Sequence, residues 1–285
     1  MENRRVNDHH GSLPYPTGQT MPAGPDANLG RAYQPKYGRP SELGNITTRE
    51  DPYAFLEHFN TAFLIDDSAS MLKYWDEVRV LLKKIAPVCT EHDSNGIDIY
   101  FINHRPRGYY VPFANIPSGY CHIGLVTGML EMHDNVAGIF HNVKPHGKCK
   151  LDRRLGQILD TYVDDCDREL RRSGGRQTLR PLNLIVITAG ETYDNPIKTL
   201  VCTAQKLDQL KAPLYQVGVQ FFQIGNVEGV RETMKSVDDE LSEALGVRDM
   251  IDTVTWSGQP GELSSDAVLK VVLGAVKRSI DKTDL

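Results

Sequence analysis

The segment 61-TAFLIDDSASMLKYW-75 decides how the rest of the sequence is interpreted. Its apolar run Phe63-Leu64-Ile65 is typical of a buried strand and ends abruptly in aspartates and serines. Apolar residues at helical spacing follow at once in 71-MLKYWDEVRVLLKKIA-86. The oxygen atoms between this strand and this helix can either cap the helix or hold a metal ion.

Short apolar runs alternate with longer helical patterns from about residue 50 onward. The candidate strands are 61–66, 97–103, 182–188, 214–222 and 251–256, with a weak one at 108–113. The candidate helices are 71–86, 119–131, 133–143, 152–171, 196–210, 228–245 and 263–281. Such alternation predicts an α/β fold, with a doubly wound, mostly parallel central sheet flanked by helices in a Rossmann-like arrangement. Ligands of such sheets bind beyond the carboxyl ends of the strands, where the aspartates and serines lie.

The composition divides the chain into two regions. Residues 1–45 are rich in Pro, Gly and Asn and lack apolar periodicity, so we predict a disordered tail there. Residues 50–285 contain all the candidate strands and helices and are expected to form a single domain. The chain has 285 residues, of which 40% are hydrophobic, and this is enough to form a sizeable core.

Charge and cysteine usage exclude several classes of protein. A net charge of −5 offers no basic footprint for nucleic acid. No run approaches the roughly 18 apolar residues of a membrane span, and the N-terminus lacks the apolar core of a secretory signal. The five cysteines show no C-x-x-C spacing: Cys89, Cys121, Cys149, Cys166 and Cys202. We therefore expect reduced thiols in an intracellular, cytoplasmic protein that has no membrane or nucleic-acid partner.

Two interpretations of the segment DDSAS stay open on spacing alone. Asp and Ser are preferred helix N-caps, because their oxygens accept free backbone N–H groups. In an extended segment, however, Asp66, Ser68 and Ser70 face the same way and can converge on one point. One carboxylate and two hydroxyls are hard ligands that suit Mg²⁺ or Mn²⁺.

The strand, the D-x-S-x-S motif, Met71 and the helix bearing Trp75 together resemble the von Willebrand factor type A domain. The resemblance covers roughly residues 58–280 and keeps the same order of elements. Segments similar to an intracellular branch common in fungi are 88-VCTEHDSNGIDIYFINH-104, 184-LIVITAGETYDNP-196, 216-QVGVQFFQIGN-226 and 246-GVRDMIDTVTW-256. The resemblance implies a metal-ion-dependent adhesion site, in which a partner's acidic side chain completes the coordination of the metal.

This chain departs from the family's pattern at two positions of that site. The resemblance implies a threonine in a G-x-T context, where 147-GKCKLDRRL-155 has Cys149 instead. It also implies an aspartate after the central strand, where Ala189 stands. A thiol is a poor partner for Mg²⁺, and the missing carboxylate removes negative charge. We therefore expect a degenerate metal site and no resident cofactor, unless Asp67, Glu191 or Asp194 compensates.

The function that these features imply is protein–protein interaction through the carboxyl rim of the sheet, and not catalysis. A working Mg²⁺-dependent adhesion module is the first alternative, and a hydrolase or transferase on a doubly wound fold is the second. No G-x-S-x-G elbow or P-loop pattern supports the second. The segment NHRPRGYY places His104, Arg105 and Arg107 where they can either bind an acidic partner or form a solvated loop. The neighbouring lysines can also lower the pKa of Cys149 and activate it, although packing is the simpler interpretation.

Overall fold

The computed structural model of the chain describes residues 53–93, 96–106, 119–123, 129–189, 192–225, 246–256 and 271–275. The predicted tail at 1–45, the weak strand at 108–113 and the helix at 228–245 lie outside these residues.

Among the described residues, six strands form one sheet in the order β3-β2-β1-β4-β5-β6. Their bounds are β1 Asn60–Ile65, β2 Ile97–Phe101, β3 Tyr120–Ile123, β4 Leu182–Thr188, β5 Val217–Ile224 and β6 Ile251–Trp256. All neighbouring pairs are parallel except β2 with β3, which is antiparallel. The predicted α/β fold with a mostly parallel sheet is confirmed.

Helices cover both faces of this sheet, as the near-continuous apolar strands predict. Their bounds are α1 Trp75–His92, α2 Met129–Asn142, α3 Leu151–Arg172 and α4 Ile197–Gln209. On one face, α1 and α2 pack against β-strand residues such as Ile185 and Ile187. On the other face, α3 and α4 pack against residues such as Leu184 and Val186. None of the helices within the described residues is long and apolar enough to cross a membrane.

Polar side chains fasten the helical residues 271–275 to the first face. The Asn183 amide donates to the carbonyl oxygen of Val272 at 2.8 Å, and the Gln220 side-chain oxygen accepts the N–H of Ala275 at 3.0 Å. Both amides are fully buried on strands of the sheet. These bonds satisfy the Asn183 nitrogen and the Gln220 oxygen, whereas the buried oxygen of Asn183 has no hydrogen-bond partner among the described residues.

Two expected helices and one expected strand differ from the structure. The strand expected over 214–222 is shifted, because Leu214–Gln216 forms a 3₁₀ turn and β5 runs from Val217 to Ile224. The helix expected over 119–131 is wrong, because Tyr120–Ile123 pairs with β2 as a short edge strand and α2 begins only at Met129. The helix expected over 71–86 begins as a 3₁₀ segment, Ala69–Tyr74, and then continues as α1 past Pro87 to His92. Pro87 lacks the N–H that would bond to the carbonyl oxygen of Lys83, yet the helix continues for five residues beyond it, to His92.

The chain leaves β1 for β2 on one side and later returns to β4 on the other side of β1. The loops after β1 and β4 therefore diverge, which is the topological switch point of a doubly wound sheet. The segment DDSAS lies directly at this point.

Candidate functional site

Asp66 is the first residue after β1, and its carboxylate is fully buried. One oxygen accepts the N–H of Ser68 at 2.8 Å, and the other accepts the hydroxyl of Thr188 at 2.9 Å. The thiol of Cys149 donates a further hydrogen bond to the same carboxylate. Donors from three separate loops therefore surround the charge that the resemblance assigns to a metal ion.

Cys149 is 3% exposed, and its environment opposes ionisation. Burial raises the pKa of its thiol far above the ordinary value, and the neighbouring carboxylate of Asp66 raises it further. The alternative of a thiol activated by Lys148 and Lys150 is therefore wrong. Cys149 is a neutral hydrogen-bond donor, and its carbonyl oxygen accepts the N–H of Tyr193 at 2.7 Å.

The two serines of the motif face each other. Their hydroxyl oxygens lie 2.9 Å apart, with Ser68 buried and Ser70 half-buried. Ser68 occupies the N-cap position of the 3₁₀ segment, but its side chain makes no capping hydrogen bond there. Its hydroxyl bonds to Ser70 instead, so the capping interpretation does not account for these two side chains. The N–H of Ala69 donates to the carbonyl oxygen of Gly147 at 3.0 Å and joins this loop to the loop of Cys149.

The carboxylate of Asp67 binds the backbone just beyond the neighbouring strand β2. It therefore does not replace a missing metal ligand. Its carboxylate accepts the N–H groups of Asn103 at 2.6 Å and His104 at 2.8 Å, just beyond β2. Burial raises the pKa of this carboxyl, and the two backbone hydrogen bonds partly oppose the shift. The carbonyl oxygen of Asp67 also accepts the N–H of His146 at 2.7 Å.

The carboxylate of Asp194 also accepts two backbone N–H groups, in this case at the start of a helix. Its carboxylate accepts the N–H groups of Asp152 at 3.0 Å and Arg153 at 3.2 Å, at the start of α3. It therefore satisfies two of the free N–H groups of that helix. Glu191, the third compensating candidate, lies outside the described residues.

Ala189 closes the site from the β4 side. It is 2% exposed, and its N–H lies 3.1 Å from the sulfur of Met71. The structure thus brings positions 66, 68, 70, 149 and 189 together, as the resemblance implies. Sequence reasoning gave no role to Thr188, although a hydroxyl that ends the otherwise apolar strand 182-LNLIVIT-188 is a usable signal, and it used Met71 only as part of the resemblance.

The side chains of this site do not fit a divalent cation. Asp66 supplies the only carboxylate among the five positions, and the protein's own donors already occupy it. Cys149 contributes a neutral thiol, and Ala189 contributes no side-chain ligand at all. Mg²⁺ and Mn²⁺ prefer several hard oxygen ligands that carry more than one negative charge. Within the described ranges, no group of three or more His, Cys, Asp or Glu side chains is arranged to hold a metal.

Comparison with known proteins gives similarity in structure only. No known family matches the sequence, and no curated protein does. The chain is similar to the pilus adhesin SpaC from Lactobacillus rhamnosus GG in its open conformation, with 12% identity and a TM-score of 0.41 over 79% of this chain and 30% of that one. It is also similar to proximal thread matrix protein 1 from the mussel byssus, with 10% identity and a TM-score of 0.34 over 79% of this chain and 48% of that one. The chain thus spans less than half the length of either protein.

Proposed function

We propose that this chain is a protein-binding module of the von Willebrand factor type A kind. It contacts its partner through the carboxyl rim of the sheet and does so without a metal ion. The observation that carries the proposal is the buried Asp66 carboxylate, held by Ser68, Thr188 and the thiol of Cys149. Protein donors take the place that the resemblance gives to the cation.

The way the loops are held together supports a role in recognition. The loop after β1 is joined to the loop before α3 by the Ala69–Gly147 and His146–Asp67 hydrogen bonds. The same loop is joined to the end of β4 by the Asp66–Thr188 hydrogen bond. A surface that is already ordered loses little conformational entropy when it binds, which favours affinity.

The contacts of the candidate nucleophiles argue against catalysis. An activated serine needs a base within hydrogen-bond reach. The hydroxyl of Ser68 pairs with that of Ser70, and the ring of His104 lies edge-on against Phe101 with 5.8 Å between centroids. A hydrolase or transferase gains no support from this arrangement.

The second candidate function is that of a Mg²⁺-dependent adhesion module, and one observation supports it. The Ser68 and Ser70 hydroxyls lie together beside Asp66, as the first part of that site requires. The two candidates differ in whether chelation of divalent ions abolishes binding.

Site-specific photo-crosslinking tests the proposal. Two exposed leucines offer a matched pair of positions: Leu72 follows DDSAS at the carboxyl edge, and Leu214 precedes β5 at the amino edge. A photoreactive residue at either position is introduced into the full chain in its native cells. We expect a discrete adduct from position 72 that persists in EDTA, and no such adduct from position 214.

Adducts of equal yield from both leucines would overturn the proposal, because binding would not be confined to the rim. An adduct from position 72 that disappears in EDTA and returns with Mg²⁺ would replace it with the metal-dependent module.

A further inference from the structure

Among the described residues, the segment after β2 and the approach to α3 carry a group of exposed cationic side chains at the carboxyl edge. We call them the basic rim: Arg105, Lys144, Lys148, Lys150 and Arg153. Arg105 follows β2, the three lysines precede α3, and Arg153 lies in the first turn of α3. This concentration of positive charge stands in a chain whose net charge is −5.

Direct contacts hold these loops side by side. The Asn103 side chain donates to the carbonyl oxygen of His146 at 2.8 Å and joins the loop of Arg105 to that of the lysines. Arg105 is exposed in part, but its guanidinium donates to the carbonyl oxygens of Phe101, Ile102 and His104. Burial of this part of the side chain lowers its pKa, Asp67 opposes the shift, and Arg153 adds to it. The ammonium of Lys148 lies 3.9 Å from the centre of the Tyr193 ring.

The basic rim lacks the ion pairs that neutralise charge elsewhere. On α3, Arg168 pairs with Asp165 and Arg171 pairs with Asp167. None of the basic-rim side chains takes part in the ion pairs found among the described residues. The carboxylates of Asp66 and Asp67 are fully buried and bound by internal hydrogen bonds. The half-buried Asp194 accepts the N–H groups of Asp152 and Arg153, and Asp152 lies in the first turn of α3, so these two carboxylates are the negative charges nearest to Lys150 and Arg153.

Two of these cations lie at positions where positive charge destabilises a helix. Lys150 is the N-cap residue of α3, and Arg153 lies in the first turn. Positive charge at a helix N-terminus is unfavourable, because the unpaired N–H groups there already carry partial positive charge. These two cations therefore do not stabilise α3, whose N-terminus is stabilised instead by the carboxylates of Asp152 and Asp194.

Two large apolar side chains are exposed at the same edge of the sheet. Tyr193 is 65% exposed and contacts Lys148, and Leu72, in the 3₁₀ segment after β1, is 64% exposed. The described residues contain just one other exposed large apolar side chain, Leu214 at the opposite edge. The rim therefore offers cations next to apolar surface.

We propose that the basic rim binds an acidic segment of a protein partner, with Leu72 and Tyr193 receiving an apolar side chain beside the acidic ones. The inference rests on the proposed function, because it names the partner of the same surface. A protein segment fits better than a nucleic acid, because Leu72 offers apolar contact but cannot stack on a base, and one face of the Tyr193 ring is already covered by the ammonium of Lys148.

Charge reversal at two matched pairs of positions tests the inference. The rim variant is Lys144→Glu with Lys148→Glu, and the control is Arg176→Glu with Lys211→Glu. All four are exposed cations outside the described ion pairs, but the control pair follows α3 and α4 at the opposite edge. Thermal unfolding of both variants checks that they fold.

The probe is a fluorescent peptide composed of glutamate and leucine, titrated with the full chain and each variant. We expect binding that weakens with added salt, because exposed charges are screened. The rim variant should bind roughly tenfold more weakly, while the control binds as the parent does. Oligothymidylate DNA, added as a competitor of equal charge, should displace the peptide poorly.

Equal binding by both variants, or no binding of the peptide, would overturn the inference. Tighter binding of the DNA than of the peptide would overturn it in favour of a nucleic-acid partner. If such a result came together with EDTA-resistant crosslinks from Leu72, the rim would still bind protein, but not through acidic residues. Absence of those crosslinks would instead overturn the proposed function itself.

Discussion

The hydroxyl of Thr188 donates to the carboxylate of Asp66 at 2.9 Å, so the ends of β4 and β1 are joined by side chains as well as by the sheet. Both residues are fully buried. The bond supplies a buried carboxylate with one of its three donors. A charge left without such donors in a dry environment is expensive.

Replacement of Thr188 by valine tests how much this hydrogen bond contributes to the free energy of unfolding. Thr188→Val keeps the shape and removes the donor, so it should lower the free energy of unfolding by about 1–3 kcal/mol. Chemical denaturation measures the change. The control is Thr161→Val, which removes a hydroxyl that bonds to Gln157 on the exposed surface of α3, and it should cost less than about 0.5 kcal/mol. Similar losses in both variants would mean that Thr188 does not support the charge of Asp66.

The metal site implied by the resemblance should be recoverable. Cys149→Thr supplies a hydroxyl and Ala189→Asp supplies a second carboxylate, so the double variant should bind Mg²⁺ and Mn²⁺ while the parent shows no sub-millimolar binding by calorimetry. Its melting temperature should rise with added metal, with about 2.7 kcal/mol gained at a concentration of 100 times Kd. Without metal it should be less stable than the parent, since two carboxylates repel each other at the rim.

The control for this double variant adds Asp66→Ala, which should remove the gain. If the double variant folds but metal has no effect on its stability, Cys149 and Ala189 do not correspond to the family's ligands.

A buried ion pair stabilises the amino edge of the sheet. Arg180 donates to Asp93 at 2.7 Å, with the two side chains 8% and 0% exposed, and it also donates to the carbonyl oxygen of Glu57. Arg180→Met leaves a buried carboxylate without its partner and should cost about 3–5 kcal/mol in unfolding experiments. Lys206→Met breaks an exposed pair with Asp160, where about 0–1 kcal/mol is expected.

The double variant Arg180→Met with Asp93→Leu gives a further check. It should recover part of the loss, because no charge remains buried. A loss equal to the sum of the two single losses would contradict this account of the pair.

The stability of the protein should depend on His58 in mildly acidic solution. Burial lowers the pKa of His58 below its usual 6.5, the charge of Arg180 acts in the same direction, and Glu57 opposes both. A folded-state pKa below the unfolded one means that the stabilisation is complete above pH 6.5 and is lost as the pH falls through the lowered value. Between pH 7 and 5 the parent should therefore lose more stability than His58→Gln. The exposed His141 at the end of α2 gives the control His141→Gln, which should follow the parent.

Two helical glycines should respond to alanine with opposite signs. A Cβ at Gly274 would collide with the side-chain oxygens of Gln220 and Asp252, whereas a Cβ at Gly138 meets nothing within 4 Å. Gly274→Ala should lower the melting temperature, with a cost of about 1–3 kcal/mol. Gly138→Ala should raise it, with a gain of up to about 1 kcal/mol from helix propensity. A gain at both positions would show that Gly274 does not approach the sheet closely.

The sequence predicts the central elements of the fold well, because their apolar residues have few alternatives. The strands expected at 182–188 and 251–256 are found at those residues. The edge strand Tyr120–Ile123 was missed because four residues next to a helical pattern carry too weak a period.

The sequence also predicts which loops meet at the site, but it does not predict their hydrogen bonds. Asp66 and Asp67 are neighbours, yet one carboxylate faces β4 and the other faces β2. Only the packed sheet decides which loop each side chain meets. For the same reason, the lysines beside Cys149 suggested activation, while burial beside Asp66 produces the opposite shift of its pKa.

The amides of Asn183 and Gln220 have a consequence for the order in which the chain folds. Their partners at Val272 and Ala275 lie 89 and 55 residues further along the chain. Until residues 271–275 pack on the sheet, these two amides have to remain hydrated on a face that is otherwise apolar. The packing of β4 and β5 is therefore complete only when residues 271–275 have reached the sheet. Contacts between residues so far apart in sequence have to close long loops, which is the kind of contact that slows folding.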